Sequence, residues 1–281
     1  MDILRYTAFS TDPSGGNPAG VVLDARGADD AAMLAAAAEI GYSETAFALP
    51  LESAGDRHLR LRFFSPLAEV SFCGHATIAT AVAYAERHGS GDLTFQTMAG
   101  TVEVATAADA AGVITATLLS VPPRQEPLAD DVLAALLAAL RWTCDDLDPA
   151  LPPRLAYGGA WHPIIAAADR SRLARLDYAM DELAPLMAEH GWTTVDLVWR
   201  ESAEVFHARN PFPPGGVYED AATGAAAAAF GGYLRALGLV EAPATITVYQ
   251  GFDMGRPSML TVGIPAGAGG ISVSGTAVVL P

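Results

Sequence analysis

The sequence predicts an α+β fold made of two similar halves. Short strand-like segments alternate with a few helical segments along the whole chain. A shift of 147 residues also brings similar segments into register, so that Arg62 meets Arg209 and Val70 meets Val217. Each copy has a strand, a proline-containing loop, a short connection and a helix of small residues. Two similar halves with a cleft between them are therefore expected.

The boundary between the halves is predicted where prolines cluster, at Pro122, Pro123 and Pro127. This places an N-terminal domain at residues 1–120 and a C-terminal domain at residues 121–281. The last strand is expected to be able to cross back to the first domain.

In the first half, a helix over residues 29–40 has Asp29 or Asp30 as its cap and Gly41 as its end. A second helix over 76–87 has apolar residues at helical spacing and ends near Gly89. The segment 12–18 is predicted to be a turn. Strands are predicted over residues 3–9, 21–24, 45–49, 59–64, 93–98, 101–105 and 113–121.

In the second half, a helix over residues 130–142 begins with acidic residues, which favour a helix N-terminus. An alanine-rich helix over 223–237 can be closed by Gly238. Strands are predicted over residues 162–168, 194–199, 203–208, 245–249, 259–264 and 271–280.

Composition and charge restrict the partners that the protein is expected to bind. The chain has 281 residues, of which 51% are hydrophobic, enough for a substantial core although much of that share is alanine. Lys and Arg total 16 against 32 Asp and Glu, a net charge of −16. This charge repels nucleic acids and anionic membranes, so neither is an expected partner. It also means that a site for an anionic substrate needs local positive potential.

Targeting signals are not expected. The two cysteines, Cys73 and Cys144, lie far apart and lack metal-type spacing, which indicates a reduced, cytoplasmic protein. The start of the chain lacks the basic and apolar regions of a signal peptide, and no apolar stretch predicts a membrane span.

A first candidate site is Ser-Phe-Cys-Gly-His-Ala-Thr at residues 71–77, where a strand-like segment leads into a helix. Gly74 lets the backbone approach a ligand, and the N–H groups at the helix start attract an anion. His75 can supply a proton or a positive charge. The alternative is an ordinary helix start with a buried Cys73 and a capping histidine, and the local pattern does not separate the two.

A second candidate site is the segment 215–225, where small residues and the acidic Glu219 and Asp220 precede a helix. Asp220 is either an ordinary N-cap residue or a site residue that faces the first helix. If the halves pack about a pseudo-twofold axis, both helix starts face one cleft and can hold a carboxylate between them.

A third candidate is Glu44, between the end of a helix and an apolar strand. A carboxylate in such a setting can act as a base and then as an acid, whereas a surface acid at a strand start is the structural alternative. Spacing alone favours the surface acid.

Nucleotide, phosphate-loop, serine-hydrolase and zinc-helix motifs are missing from the sequence. No cofactor and no metal site are therefore expected, and the chemistry must rest on side-chain acids and bases. Five other histidines are interpreted as structural or surface residues: His58, His88, His162, His190 and His207.

Five segments together resemble the PhzF family of phenazine biosynthesis proteins. They occur in the family's order and span nearly the whole chain: Asn-Pro-Ala-Gly-Val at 17–21, Gly-Tyr-Ser-Glu-Thr-Ala-Phe at 41–47, Cys-Gly-His-Ala-Thr at 73–77, Glu-Asp-Ala-Ala-Thr-Gly at 219–224 and Gln-Gly-Phe-Asp-Met-Gly-Arg-Pro-Ser at 250–258. The resemblance implies a diaminopimelate epimerase-like fold, in which each pseudo-symmetric half is a curved, barrel-like sheet around a central helix. It also implies a homodimer.

The resemblance further implies a cofactor-independent isomerase that moves a proton on a small carboxylated substrate. Isomerisation of trans-2,3-dihydro-3-hydroxyanthranilate is the family's founding activity. Glu44 matches the catalytic acid/base, and His75 and Asp220 match residues that assist proton movement. The residues implied to lie at the substrate are Asn17, Cys73, Gly74, Thr223, Gly224 and Ala225.

Two positions depart from the family's pattern. Ala221 stands where the family often has proline, and Ala225 stands where it often has serine. The serine's absence removes one hydroxyl donor, worth about 1 kcal/mol, while the backbone N–H donors remain. These departures bear on the identity of the substrate more than on the type of reaction.

Two other functions compete with the isomerase. An amino-acid epimerase or racemase could use Cys73 with Asp220 as a mixed pair, although two-thiol enzymes of this fold need a second cysteine and Cys144 lies outside the motifs. A non-catalytic small-molecule binder is the third possibility. It has no need for Glu44, His75 and Asp220 together.

The absence of cofactor motifs gives a first prediction. Turnover should survive exhaustive chelation and dialysis, because every proton-transfer group is expected to be a side chain. Activity is measured before and after EDTA treatment. A loss under EDTA that added metal restores would contradict this prediction.

Overall fold

A computed structural model describes residues 1–51 and 55–281. In chain order its helices and strands are β1 (Leu4–Ala8), β2 (Asn17–Val22), α1 (Asp30–Ile40), β3 (Thr45–Pro50), β4 (His58–Phe64), β5 (Glu69–Val70), α2 (Gly74–His88), β6 (Gly91–Thr97), β7 (Gly100–Ala108), β8 (Ile114–Leu119), β9 (Arg124–Pro127), α3 (Asp130–Leu140), β10 (Arg154–Tyr157), β11 (Trp161–Ala166), α4 (Arg170–Ala174), α5 (Met180–His190), β12 (Asp196–Arg200), β13 (Val205–Phe212), β14 (Val217–Asp220), α6 (Gly224–Ala236), β15 (Ala244–Gln250), β16 (Ser258–Ile264) and β17 (Ser272–Val279).

The chain divides into two compact units. The first contains Met1–Leu119 together with Ser274–Pro281, and the second contains Ser120–Val273. No helix among the described residues is long and apolar enough to span a membrane.

The first unit is a closed sheet around one helix. Its strands pair in the order β1, β2, β3, β4, β6, β7, β8 and β17, and β17 pairs back with β1. Helix α2 packs against β1, β2, β3, β7 and β8, and its residues from His75 to Ala85 are all buried. A helix buried on every side must be apolar all round, which explains the many alanines of this segment.

The second unit repeats this plan. Its strands pair in the order β9, β10, β11, β12, β13, β15 and β16, with parallel pairs between β11 and β12 and between β13 and β15. Helix α6 packs against β9, β10, β11 and β16. Small residues are needed here: a Cβ on Gly231 would lie 2.9 Å from both Ile271 Cγ2 and Val262 Cγ1, and one on Gly232 would lie 2.3 Å from Pro123 Cβ.

The predicted α+β class with two similar halves is confirmed. In each unit a strand, a short antiparallel strand and the central helix follow one another, and an arginine on the first strand binds a glutamate on the second with two nitrogens. Arg62 Nε lies 2.6 Å from Glu69 Oε1, and Arg209 Nε lies 2.9 Å from Glu219 Oε2. The two arginines keep the offset of 147 (62 to 209). The two glutamates (69 to 219) and the helix starts (74 to 224) are offset by 150, because the connection between the two strands is three residues longer in the second unit.

Most predicted elements occur within a few residues of their expected bounds. Helix α1 is capped by Asp29, whose side chain accepts from the N–H of Ala32, and it ends at Gly41 in the left-handed conformation. The predicted turn 12–18 ends earlier, because Asn17 and Pro18 already belong to β2. The prediction missed the helices α4 and α5 and the strands β5, β9, β10 and β14. Pro185 lies inside α5 and hides its helical pattern.

A buried polar chain crosses the sheet of the second unit. Thr194 Oγ1 donates to Asn210 Oδ1 at 2.6 Å, which leaves the N–H of His162 Nδ1 to donate to Thr194 Oγ1 at 2.8 Å. Asn210 Nδ2 donates to Asp196 Oδ1 at 3.0 Å. Burial raises the pKa of Asp196 to about 7, against the lowering effect of the Asn210 hydrogen bond. Burial also lowers the pKa of His162 to about 4.

These two shifts act on stability in opposite directions. Asp196 has a folded pKa above its ordinary value of 3.8, so its contribution is complete below pH 3.8 and is lost as the pH rises to about 7. His162 has a folded pKa below its ordinary value of 6.5, so its contribution is complete above pH 6.5 and is lost as the pH falls to about 4. Between these limits the two slopes largely cancel.

The Asp196→Asn substitution should remove the pH-dependent contribution of Asp196 to stability and leave that of His162. The variant should gain about 2 kcal/mol of unfolding free energy relative to the wild type between about pH 5 and about pH 7.5, because only the wild type must keep a carboxyl protonated. Urea unfolding at both pH values measures this. Asp181→Asn, at an exposed residue of α5, is the control and should show no such change. If the unfolding free energies of Asp196→Asn and wild type depend equally on pH, the raised pKa of Asp196 is refuted.

Candidate functional site

Backbone pairing fixes the position of Glu44 directly before β3. The N–H of Gly20 donates to the carbonyl of Glu44 at 3.2 Å, and Gly20 pairs with Thr45 across the parallel strands β2 and β3. A Cβ at Gly20 would lie 2.5 Å from Thr45 Oγ1, so only glycine allows this close approach. The Asn-Pro-Ala-Gly-Val motif thus supports Glu44 through its glycine.

Glu44, Cys73 and His75 form one cluster in the first unit. The Cys73 thiol donates towards Glu44 Oε2 at 3.6 Å, and Cys73 Sγ lies 3.3 Å from His75 Nδ1. His75 Nε2 lies 3.5 Å from Glu44 Oε2 and 3.4 Å from Ser43 Oγ. The side chain of Glu44 is 14% exposed and that of His75 is 6% exposed. A carboxylate, a thiol and an imidazole therefore share one largely buried site.

The cluster lies at the start of helix α2. Cys73 is the N-cap residue, but its side chain makes no capping hydrogen bond to the helix. Helix α1, by contrast, is capped by Asp29. The first N–H groups of a helix point outward and carry positive potential, so this end of α2 suits an anionic group.

A second cluster forms around Asp220 in the second unit. Thr223 Oγ1 donates to Asp220 Oδ2 at 2.7 Å. Gln250 is buried and holds both residues: its Oε1 accepts from the N–H of Thr223 at 3.0 Å, and its Nε2 donates to Thr223 Oγ1 at 3.0 Å and to the Asp220 carbonyl at 2.9 Å. Gly251 follows with φ 77°, and a Cβ there would lie 2.8 Å from the carbonyl oxygen of Ala221.

The interpretation of Asp220 as a helix N-cap is wrong. Asp220 ends strand β14, and α6 begins at Gly224 with Thr223 as the N-cap residue. Thr223, rather than Asp220, therefore occupies the position that corresponds to Cys73. The constant shift of 147 residues matches Cys73 with Asp220 instead. It does so because such a shift cannot account for the three extra residues that precede α6 in the second unit.

The structure groups the predicted site residues by unit. Glu44, Cys73, Gly74 and His75 come together in the first unit, where Asn17 begins β2 and is buried. The second unit brings together Asp220, Thr223, Gly224 and Ala225.

The sequence reasoning gave no role to Gly20 or Gln250. Both lie in the quoted motifs, and glycine or a buried amide next to a site is a recognisable signal for backbone support.

The fold indicates the class of protein first. The structure of a probable proline racemase from Agrobacterium radiobacter shares the fold, with a TM-score of 0.65, 14% identity, and coverage of 98% of this chain and 90% of that one. The structure of a PhzF-family phenazine biosynthesis protein from Bacillus anthracis is closer, with a TM-score of 0.88, 26% identity, and coverage of 99% and 96%. The chain thus shares its fold with a PhzF-family protein and with a probable proline racemase.

Sequence comparison gives the family. A family model described as "Phenazine biosynthesis-like protein" matches residues 6–281. An "Uncharacterized isomerase" of Mesorhizobium japonicum is 34% identical over 275 residues, which cover 92% of this chain and 88% of the relative. The trans-2,3-dihydro-3-hydroxyanthranilate isomerase of Pseudomonas chlororaphis is 30% identical over 255 residues, with coverage of 90% and 86%. The chain belongs to the PhzC-PhzF family of phenazine biosynthesis-like proteins, and its relatives assign it to the isomerases.

The close approach of β2 and β3 generates a prediction for Gly20. Gly20→Ala should destabilise the protein by about 1–3 kcal/mol, because the added methyl group overlaps the side chain of Thr45. Urea unfolding measures the difference from wild type. Gly269→Ala is the matched control, since a Cβ at Gly269 has no neighbour within 4 Å. Equal effects of the two substitutions would show that Gly20 has no packing role.

Proposed function

We propose that the protein is a cofactor-independent isomerase that shifts a proton on a small carboxylated substrate, with Glu44 as the acid/base. The observation that carries this proposal is the position of Glu44, beside Cys73 and His75 and at the uncapped start of α2. A helix start holds a carboxylate, and a carboxylate side chain next to it can exchange a proton with the bound molecule.

Each group of the cluster has a role in this mechanism. Glu44 takes a proton from one carbon of the substrate and returns it to another carbon on the same face. His75, 3.5 Å from Glu44 Oε2, stabilises the carboxylate whenever the imidazole is protonated and can exchange a proton with it. The N–H groups of Gly74 and His75 hold negative charge on the substrate and increase the acidity of the adjacent C–H bond.

The second unit contributes a similar element. Thr223, Gly224 and Ala225 begin α6 without a side-chain cap, and Asp220 is fixed next to them by Thr223 and Gln250. We propose that this helix start also binds a carboxylated substrate and that Asp220 assists proton movement. Backbone donors perform the binding, so Ala225 in place of serine removes a hydroxyl without removing the N–H groups.

The relative from Pseudomonas chlororaphis suggests the type of substrate. Its name specifies trans-2,3-dihydro-3-hydroxyanthranilate, a carboxylated ring compound, and 30% identity over 90% of this chain supports a related molecule as the substrate of this protein.

We also propose that the protein is a cytoplasmic homodimer. Neither Cys73 nor Cys144 forms a disulfide, which agrees with a reducing compartment. Light scattering after size-exclusion chromatography tests the dimer.

A thiol-based epimerase is the second candidate function, and one observation favours it. Cys73 Sγ lies 3.3 Å from His75 Nδ1, the arrangement in which an imidazole activates a thiol. The corresponding position in the second unit is Thr223, whose hydroxyl is a far weaker base than a thiolate. Asp220 would therefore have to act as the second base, while its Oδ2 accepts the Thr223 hydroxyl.

Substitution of Glu44 tests the proposal. Glu44→Gln should fold normally and still bind carboxylated compounds, but lose turnover by at least about 10²-fold, because the amide cannot accept the proton. Turnover is measured as incorporation of deuterium from heavy water into a panel of carboxylated substrates that includes trans-2,3-dihydro-3-hydroxyanthranilate. A non-catalytic binder would exchange no hydrogen in any of them.

Glu39→Gln is the control, because Glu39 is an exposed glutamate on α1 and should retain full turnover. His75 and Asp220 variants should lose less turnover than Glu44→Gln, or lose binding as well as rate. Near-normal turnover of Glu44→Gln together with an inactive Cys73→Ser would establish the thiol-based epimerase instead.

A further inference from the structure

The cluster of Glu44, Cys73 and His75 contains the three ligand types that zinc prefers, a sulfur, an imidazole nitrogen and a carboxylate oxygen. Cys73 Sγ lies 3.6 Å from Glu44 Oε2 and 3.8 Å from His75 Nε2, and Nε2 lies 3.5 Å from Oε2. Proton transfer to a substrate does not by itself require three ligand atoms at these mutual distances.

The triangle has nearly the size of one face of a zinc tetrahedron. Zinc–sulfur bonds of about 2.3 Å and zinc–nitrogen or zinc–oxygen bonds of about 2.0–2.1 Å at tetrahedral angles separate the ligand atoms by about 3.3–3.6 Å. Shifts of a few tenths of an ångström would therefore bring all three atoms into bonding distance. Rotations about the side-chain bonds of Glu44 and His75 can supply shifts of this size.

The charges of the cluster also balance. On binding, the Cys73 thiol releases its proton to solvent as the zinc–sulfur bond forms. The thiolate and the Glu44 carboxylate then carry two negative charges, which neutralise Zn²⁺, while His75 binds as the neutral imidazole. Cys73 and His75 are buried, so a neutral complex avoids the desolvation cost of an uncompensated charge. Three protein ligands leave the fourth position for water.

We propose that Glu44, Cys73 and His75 form a three-ligand site for Zn²⁺ and that zinc inhibits this isomerase. The inhibition rests on the proposed function, because zinc would bond to the Glu44 oxygen that exchanges the proton. Zinc is therefore an inhibitor of this protein and takes no part in its reaction. The thiol makes the inhibition specific for thiophilic ions, and Mg²⁺ should not compete.

Metal binding is tested on the full chain without any substrate. Competition of the protein with a chromophoric chelator measures Zn²⁺ affinity, and titration with Co²⁺ reports the ligands by absorption. One equivalent should bind per chain, with a thiolate-to-cobalt charge-transfer band and tetrahedral d–d bands. Cys73→Ser should abolish the charge-transfer band and weaken zinc binding at least about tenfold, since even substitutions outside the ligand set cost that much.

Cys144→Ser is the matched control. Cys144 is exposed and precedes Asp145 and Asp146, so it is the alternative place for adventitious zinc. Its substitution should leave affinity and spectrum unchanged. Loss of the thiolate-to-cobalt charge-transfer band in Cys144→Ser, or its retention in Cys73→Ser, would refute the proposed zinc site. Circular dichroism checks folding, and Glu44→Gln, which should also weaken zinc binding, serves as the second variant if Cys73→Ser does not fold.

The deuterium-exchange assay tests inhibition. Stoichiometric Zn²⁺ should abolish turnover and EDTA should restore it, whereas an increase in turnover with Zn²⁺ would overturn the inhibitory role. Zinc binding at Cys73 without turnover of any substrate would refute the proposed function and leave the site intact. Turnover unaffected by zinc, with no binding by cobalt or zinc, would refute the site and leave the isomerase intact.

Discussion

The central helices α2 and α6 impose the constraint on which the rest of the structure depends. Each is buried against a sheet along most of its length, and that requires alanine and glycine where strands approach closely. The small residues of these two helices follow from this packing. Because each helix begins within its unit at a residue that does not cap it, the positive end of the helix remains available to negative groups.

The positive end of each central helix can offset the repulsion between this acidic chain and a carboxylated molecule. A chain of net charge −16 repels a carboxylated molecule at long range. Backbone N–H groups at a helix start provide positive potential without adding a basic side chain, which would itself pair with a neighbouring carboxylate. In the first unit the same end of α2 places Cys73 and His75 beside Glu44, so that the groups proposed for binding and for proton transfer lie together.

The two clusters are held in position by different kinds of interaction. Glu44 is fixed through the backbone, by the parallel pairing of Gly20 with Thr45. Asp220 is fixed through side chains, by Thr223 and the buried amide of Gln250. The buried chain from His162 to Asp196 in the second unit adds a third polar feature, and its two opposing titrations flatten the dependence of stability on pH.

The sequence by itself determined the α+β class, the twofold repetition, most helices and strands, and the motifs around Glu44, Cys73 and Asp220. These follow from local signals: hydrophobic periodicity, capping residues such as Asp29 and Gly41, and residue order within motifs. Only the tertiary structure showed that Thr223 corresponds to Cys73, that Gly20 and Gln250 support the two clusters, and that Glu44, Cys73 and His75 have the spacing of a metal triangle. The physical reason is that these facts depend on distances between residues far apart in the chain, which sheet pairing and helix burial set and which no local pattern encodes.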